Sequence, residues 1–184
     1  MKRQLRIDVL NQLQNLSKEN HAEKSTLLHQ HVWQYIKDKS VQSVAVTISS
    51  YPEVDTKRLI EWMWEAEKDV YVPKSDFSTR QMKFIKITSW NDVKPGFKGI
   101  LEPIESSPES TTFDLVIVPG VVFSKDGYRI GFGGGFYDRF LEEYKGETLS
   151  LAFETQLRDA VPYESHDIPV KHLVLQDGIF DTSR

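Results

Sequence analysis

Four of the five residues from Gly131 to Gly135 are glycine, and this run governs what the last third of the chain becomes. No helix or strand crosses such a stretch cheaply, since each interior glycine costs roughly 0.5–1 kcal/mol relative to alanine. It must therefore divide two elements. Beyond it, Phe136, Phe140 and Tyr144 recur at i, i+4 and i+8 and predict a helix over about 135–145. Bare backbone leading into a helix aims unsatisfied N–H groups and a positive dipole end at one point, which suits phosphate. Arg129 in front of the run and Asp138 in the first helical turn add a cation and a carboxylate. The run is not a P-loop, because no Gly-Lys-Ser/Thr ends it, and Phe136 replaces the third glycine of a dinucleotide fingerprint. A plain turn that lets a strand and a helix pack closely is the other reading, and the pattern alone leaves both open.

The chain has 184 residues, no cysteine and a formal net charge of −4. That length suits one domain, and the absence of cysteine removes disulfides, thiolate catalysis and thiolate metal sites. The negative balance argues against nucleic acid as the main partner. No apolar run approaches the ~18 residues of a membrane span and no secretory core precedes the fold, so a cytoplasmic location is expected.

Residues 2–18 read as a helix with Leu5, Val9, Leu13 and Leu16 on one stripe. Lys2 and Arg6 project from the edge of that stripe at the helix N-terminus, where cations oppose the dipole. Either they snorkel to water or a bound anion relieves them. A second helix is expected over about 22–37, a strand at 43–49, and a loop at 50–56 in which Pro52 bars a continued central strand. Thr56 then reads as the cap of a helix over about 57–68, with Trp62 and Trp64 on different faces. Strands are expected at 69–73, 82–87, 113–119, 149–153 and 172–176, with residues 90–112 as an irregular excursion. This alternation predicts an α/β domain: a three-layer, open, mostly parallel sheet with helices on both faces. Ligands gather beyond the carboxyl ends of such strands, so the segments after Ser49, Ile87, Val118 and Phe153 are expected on one rim.

That rim would carry Glu53, Asp55, Glu102, Arg129, Asp138, His166 and Asp167. Carboxylates beside a phosphate loop are the usual holders of Mg²⁺. Asp138 is the best-placed candidate, with a dipole-stabilising acid as its alternative; His166-Asp167 before Pro169 fits turn chemistry at least as well. Tyr51, Phe97 and Tyr128 offer flat faces to an aromatic ligand or cover core edges. His29 and His31 are two apart and do not make a metal pair. No Ser-His-Asp or lysine nucleophile stands out. From the residues alone, the chain is a nucleotide- or phosphate-binding α/β protein using Mg²⁺.

Longer motifs narrow this. Pro119-Gly120-Val-Val-Phe followed by Gly127-Tyr-Arg129-Ile-Gly131-Phe-Gly-Gly-Gly135-Phe-Tyr-Asp138-Arg139 resembles the signature of the 5-formyltetrahydrofolate cyclo-ligase (5,10-methenyltetrahydrofolate synthetase) family. Lys2-Arg-Gln-Leu-Arg6, Pro52-Glu-Val-Asp-Thr56, Gly99-Ile-Leu-Glu-Pro103 and His166-Asp167 extend the resemblance over almost the whole chain. Phe132 and Phe136 stand where tyrosine is usual and keep the flat faces. The resemblance implies ATP-dependent closure of 5-formyltetrahydrofolate to 5,10-methenyltetrahydrofolate, with ADP and phosphate released and Mg²⁺ required. It implies Lys2, Arg3, Gln4, Leu5 and Arg6 on ATP, together with Arg129, Ile130, Gly131, Phe132, Gly133, Gly134, Gly135, Phe136 and Tyr137. Ser50, Glu53, Asp55 and Glu102, with Phe132 to Phe136, would face the folate. Asp138 and Asp167 would hold Mg²⁺, and Arg129 and Asp138 would carry the chemistry. A folate- or nucleotide-binding protein without catalysis, and a different phosphate-handling enzyme such as a sugar-phosphate isomerase, are the competing classes.

Overall fold

The structure is a computed structural model that describes residues 1–49, 51–104, 108–132 and 134–183. Along it run α1 (Lys2–Gln14), α2 (Lys18–Asp38), β1 (Ser43–Val46), α3 (Lys57–Glu65), β2 (Asp69–Asp76), β3 (Gln81–Ile87), β4 (Val93–Pro95), β5 (Leu101–Pro103) and β6 (Glu109–Ser110). Then follow β7 (Leu115–Ile117), β8 (Val122–Phe123), β9 (Arg129–Ile130), α4 (Phe136–Glu143), β10 (Thr148–Leu151), β11 (His172–Leu175) and β12 (Gly178–Asp181).

The main sheet has the order β12-β11-β10-β7-β1-β2-β3-β6. Its centre, β11-β10-β7-β1-β2, is parallel, and β12, β3 and β6 join antiparallel at the flanks. Val44-Ala-Val46, Leu115-Val-Ile117 and Leu149 are buried without alternation, as expected for strands covered on both faces. Successive residues feed two cores. Val44, Val46, Leu115, Ile117 and Leu149 pack with Val9, Leu13, Leu28, Val32, Leu59 and Met63 of α1, α2 and α3. Ala45, Val116, Val118 and Leu173 pack on the other side with Leu141, Tyr137 and Phe140 of α4. The three-layer architecture read from the sequence is present. Among the described residues no helix is long and apolar enough to cross a membrane.

Several boundaries differ from the sequence expectations, each for a local reason. The first helix stops at Gln14, and Ser17 starts α2 four residues earlier than expected, its Oγ accepting the Asn20 N–H at 3.1 Å. Polar Lys18-Glu-Asn carries no apolar period, so only the cap marks that start. Thr56 precedes α3 but does not cap it with its side chain: the hydroxyl donates to Thr47 O at 2.7 Å and accepts from Ser49 N at 2.8 Å. Trp62 and Trp64 are both half-buried, on opposite flanks of the buried Met63; Trp64 donates to Ile87 O at 2.9 Å and meets Trp90 at 4.9 Å. The described residues of the 90–112 stretch carry regular structure that was not expected, the β4–β5 pair and the edge strand β6.

The largest correction concerns the rim. β3 returns antiparallel to β2, with Ile87 opposite Val70, so the segment after Ile87 leaves from the amino edge of the parallel strands. Between β2 and β3 lie only four residues, and a parallel return needs a crossover of a dozen or more. The turn at 77–80 takes the place on the carboxyl rim that the sequence reading gave to Ile87.

Candidate active site

In the sheet, β2 continues from β1 on one side and β7 is laid down on the other, so the connection order reverses between β1 and β7. A cleft opens beyond the carboxyl ends of these two strands, where open α/β sheets collect ligands. Thr47, Ser49, Glu53, Thr56, Pro119 and Gln156 line it. Gln156 is buried and fixes one wall by donating to Val121 O at 3.1 Å and Gly120 O at 3.3 Å. Burial pushes the Glu53 carboxyl above the ordinary carboxylate range, and a hydrogen bond from Ser49 only partly opposes this. Asp55 faces elsewhere in its bonding: its carboxylate accepts the first N–H of α3, from Lys57, at 3.4 Å.

Pro119-Gly120 ends β7 and turns the chain into the short β8–β9 ribbon, which delivers Arg129 beside the glycine run. Gly135, at φ +70, is the N-cap of α4 and occupies the left-handed region that a side chain disfavours. A Cβ on Gly134 would strike the Phe136 ring at 2.5 Å, whereas one on Gly131 would meet nothing within 4 Å. Arg129 is buried. Its guanidinium donates to Ile168 O at 3.0 Å and pairs with Asp138 Oδ1 at 3.3 Å. Burial draws the Arg129 pKa down, and the Asp138 carboxylate opposes that pull. The same Asp138 oxygen accepts the Ile168 N–H at 3.1 Å, which ties α4 to the loop carrying Asp167.

From the other side, α1 brings both of its stripe-edge cations to this place. Lys2 Nζ lies 2.8 Å from Asp167 Oδ2, and Arg6 Nε donates to Gly131 O at 2.7 Å. Asp167 also accepts the Glu164 N–H at 2.9 Å, and His166 Nε2 stands 3.5 Å from its second oxygen. Burial alone would raise the Asp167 carboxyl; Lys2, the Glu164 N–H and His166 together hold it below the ordinary range. Turn chemistry and charge pairing thus coexist at Asp167.

The remaining candidates fall as follows. Leu5 packs on the core, Gln4 donates to Asp8 at 2.9 Å, and Arg3 is exposed. Ile130 is buried in the core, and Phe132 is 57% exposed. The Tyr137 hydroxyl points inward to share a hydrogen bond with Thr47, and burial pushes its pKa up to about 12. Through Thr47, which lines the β1–β7 cleft, Tyr137 connects that cleft to the glycine loop. Glu102 pairs across the β4–β5 arm with Lys94, its carboxyl lying against Gly96. Ser50, Gly133 and the Phe97 side chain lie outside the described residues. Tyr128 stacks on Tyr163 at 3.8 Å.

Two side chains that the sequence reading passed over also reach the loop. From the β2–β3 turn, Phe77 meets Phe136 at 5.3 Å and Arg80 lies 5.8 Å over the same ring. Recognising the 77–80 gap as a hairpin turn is the signal that would have placed them there.

A family model described as the 5-formyltetrahydrofolate cyclo-ligase family matches residues 1–176. The chain is 30% identical to mouse 5-formyltetrahydrofolate cyclo-ligase, over 96% of this chain and 94% of the mouse protein. It is 34% identical to the Escherichia coli K12 protein of the same name, over 76% and 80% of the two chains. The solved 5,10-methenyltetrahydrofolate synthetase of Aquifex aeolicus superposes with a TM-score of 0.87 at 30% identity, covering 100% of this chain and 93% of that one. The chain belongs to the 5-formyltetrahydrofolate cyclo-ligase family and is an enzyme of the ligase class.

Proposed function

We propose that this protein converts 5-formyltetrahydrofolate to 5,10-methenyltetrahydrofolate with cleavage of ATP to ADP and phosphate. The observation that carries the reading is the convergence of Lys2, Arg6 and Arg129 on one glycine loop, next to a cleft that holds Glu53.

Amide resonance makes the formyl carbon unreactive and its oxygen a poor leaving group. Transfer of the γ-phosphoryl group to that oxygen forms a P–O bond, breaks the β–γ bridge and releases ADP. N10 then attacks the activated carbon, loses its proton and closes the five-membered ring as inorganic phosphate departs. Such a sequence needs no protein nucleophile, only alignment and neutralisation of charge. Lys2, Arg6 and Arg129 line up along the polyphosphate, and the backbone N–H groups of the glycine loop face its oxygens. The Glu53 cleft, about 30 Å³, is too small to enclose the folate, which instead lies across its mouth with Glu53 facing it.

The donor set suits Mg²⁺ bound together with the nucleotide. Oδ1 of Asp138 holds Arg129 and Ile168 and leaves Oδ2 without a partner among the described residues, while Asp167 would exchange Lys2 or His166 for the ion. Among the described residues no group of three His, Asp or Glu side chains forms an all-protein metal cage. A hard cation dressed mainly by phosphate and water oxygens needs only one or two carboxylates. Such an ion would neutralise the polyphosphate.

The test follows the methenyl product by absorbance with formyl folate present and with ATP and Mg²⁺ each supplied or withheld. Product and ADP in equal amounts, only in the complete mixture, is the expected result. Folate binding without ADP release would overturn the reading in favour of a binding protein.

A further inference from the structure

Helix α2 carries His21, Ser25 and His29 at i, i+4 and i+8, which places all three on one face. They are only 5%, 2% and 1% exposed, an unusual polar content for a helix face turned to the core. All three direct their polar atoms to the loop bearing Glu53. His21 Nε2–H donates to the Glu53 carbonyl, Ser25 Oγ accepts the Asp55 N–H at 3.1 Å, and His29 Nε2–H donates to the Asp55 carbonyl. These loop groups have no sheet partner, and the helix side chains satisfy them.

The rings are held as well as bonded. His21 stands edge-on between Tyr51 at 5.2 Å and Phe153 at 5.6 Å, and His29 stands edge-on to Trp62 at 5.9 Å. Facing a carbonyl fixes the proton on Nε2 in both. For His29 this leaves a buried Nδ1 with no partner among the described residues, and burial lowers the ring's pKa. Apolar side chains would fill this stripe without that cost. What the polar ones add is a fixed position for the backbone of residues 53–55.

We infer that His21, Ser25 and His29, which also line an open cavity of about 870 Å³, are positioning residues: they set where Glu53 stands at the β1–β7 cleft, and so govern affinity for the formyl folate through it. This rests on reading that cleft as the folate side of the site.

The test uses His21→Leu, His21→Gln, Ser25→Ala and Glu53→Gln in the full enzyme, measuring KM for formyl folate, KM for ATP, kcat and thermal midpoint. His21→Leu and Ser25→Ala are each expected to raise KM for formyl folate about fivefold while KM for ATP stays within about twofold, the scale of one lost hydrogen bond. His21→Gln, which restores an N–H at similar reach, is expected to recover most of the loss. Combining Ser25→Ala with Glu53→Gln is expected to add little to Glu53→Gln alone, because both act through one carboxylate. Folded helix variants with unchanged folate KM would overturn the positioning role, as would equal damage to both KM values or full additivity with Glu53→Gln. Wild-type folate KM in Glu53→Gln would instead overturn the reading of the cleft, and with it any action through Glu53.

Discussion

Arg129 and Asp138 meet at 3.3 Å across the glycine loop, with side chains 6% and 22% exposed. The pair is structural, and in the proposed reaction it also stands beside the polyphosphate. Arg129→Ala leaves Asp138 facing a void and strips Ile168 O of its donor, which is expected to cost about 2–3 kcal/mol of stability, somewhat less than for a fully buried pair. Arg129→Lys keeps the charge but loses the planar fork, so it is expected to retain most of the thermal midpoint. Both variants are expected to lose at least about tenfold in turnover. Calorimetry beside the coupled assay separates the two effects; full turnover in either variant would remove Arg129 from the chemistry.

Gly131 and Gly135 give a cleaner probe of the loop. A Cβ on Gly131 meets nothing within the protein, and its φ is not in the left-handed region. Gly131→Ala is thus expected to change stability by less than about 0.5 kcal/mol while raising KM for ATP about tenfold, because the methyl enters the space that the proposed binding mode gives to the nucleotide. Gly135 sits at φ +70, so Gly135→Ala is expected to cost about 1 kcal/mol whether or not nucleotide is present. Equal ATP affinity in the Gly131 variant and the wild type would place the polyphosphate elsewhere.

Glu53 predicts a trade of stability against function. Burial raises its folded-state pKa above the unfolded value, so the folded protein holds the proton more tightly. The sign follows: stability falls as pH rises from the unfolded pKa near 4.3 through the raised folded value, and the penalty persists above it. Glu53→Gln is expected to match wild-type stability near pH 4 and exceed it at pH 7. Denaturant midpoints across pH 4–8 check this, and parallel curves would contradict it.

Asp167 should show the opposite slope. Its folded pKa is depressed, so its contribution is full above the unfolded value near 3.9 and is lost as pH falls through the folded value. Lys2→Met is expected to flatten this acid limb by under about 1 kcal/mol, since Lys2 is itself more than a third exposed. An acid unfolding curve unchanged by the substitution would show that the Glu164 N–H and His166 hold Asp167 without Lys2.

What the residues disclosed and what they hid follow from the range of the forces involved. Strand burial in β1, β7 and β10, the apolar stripe of α1 and the glycine-led start of α4 are local patterns, and they are legible. The placement of Lys2 and Arg6 at the stripe's edge left snorkelling or a bound anion open, and the structure gives them oxygens of the protein instead, Asp167 Oδ2 and Gly131 O. The antiparallel return at β3 was missed, although the residues left between the expected strands at 69–73 and 82–87 are too few for a parallel crossover. By contrast, the histidines of α2 bond to backbone 26 and 32 residues away. No periodicity announces such a contact, because the partner atoms are carbonyls that every residue possesses.

The Lys2–Asp167 clasp spans 165 positions of chain. Arg6 finds its partner at Gly131, whereas the counter-charge of Lys2 stands just before the β11 strand. An intermediate in which the loop carrying Asp167 has not yet docked can build most of the sheet, yet it cannot close the ring of charge around the glycine loop. Closing that ring therefore waits on a contact between two segments 165 positions apart.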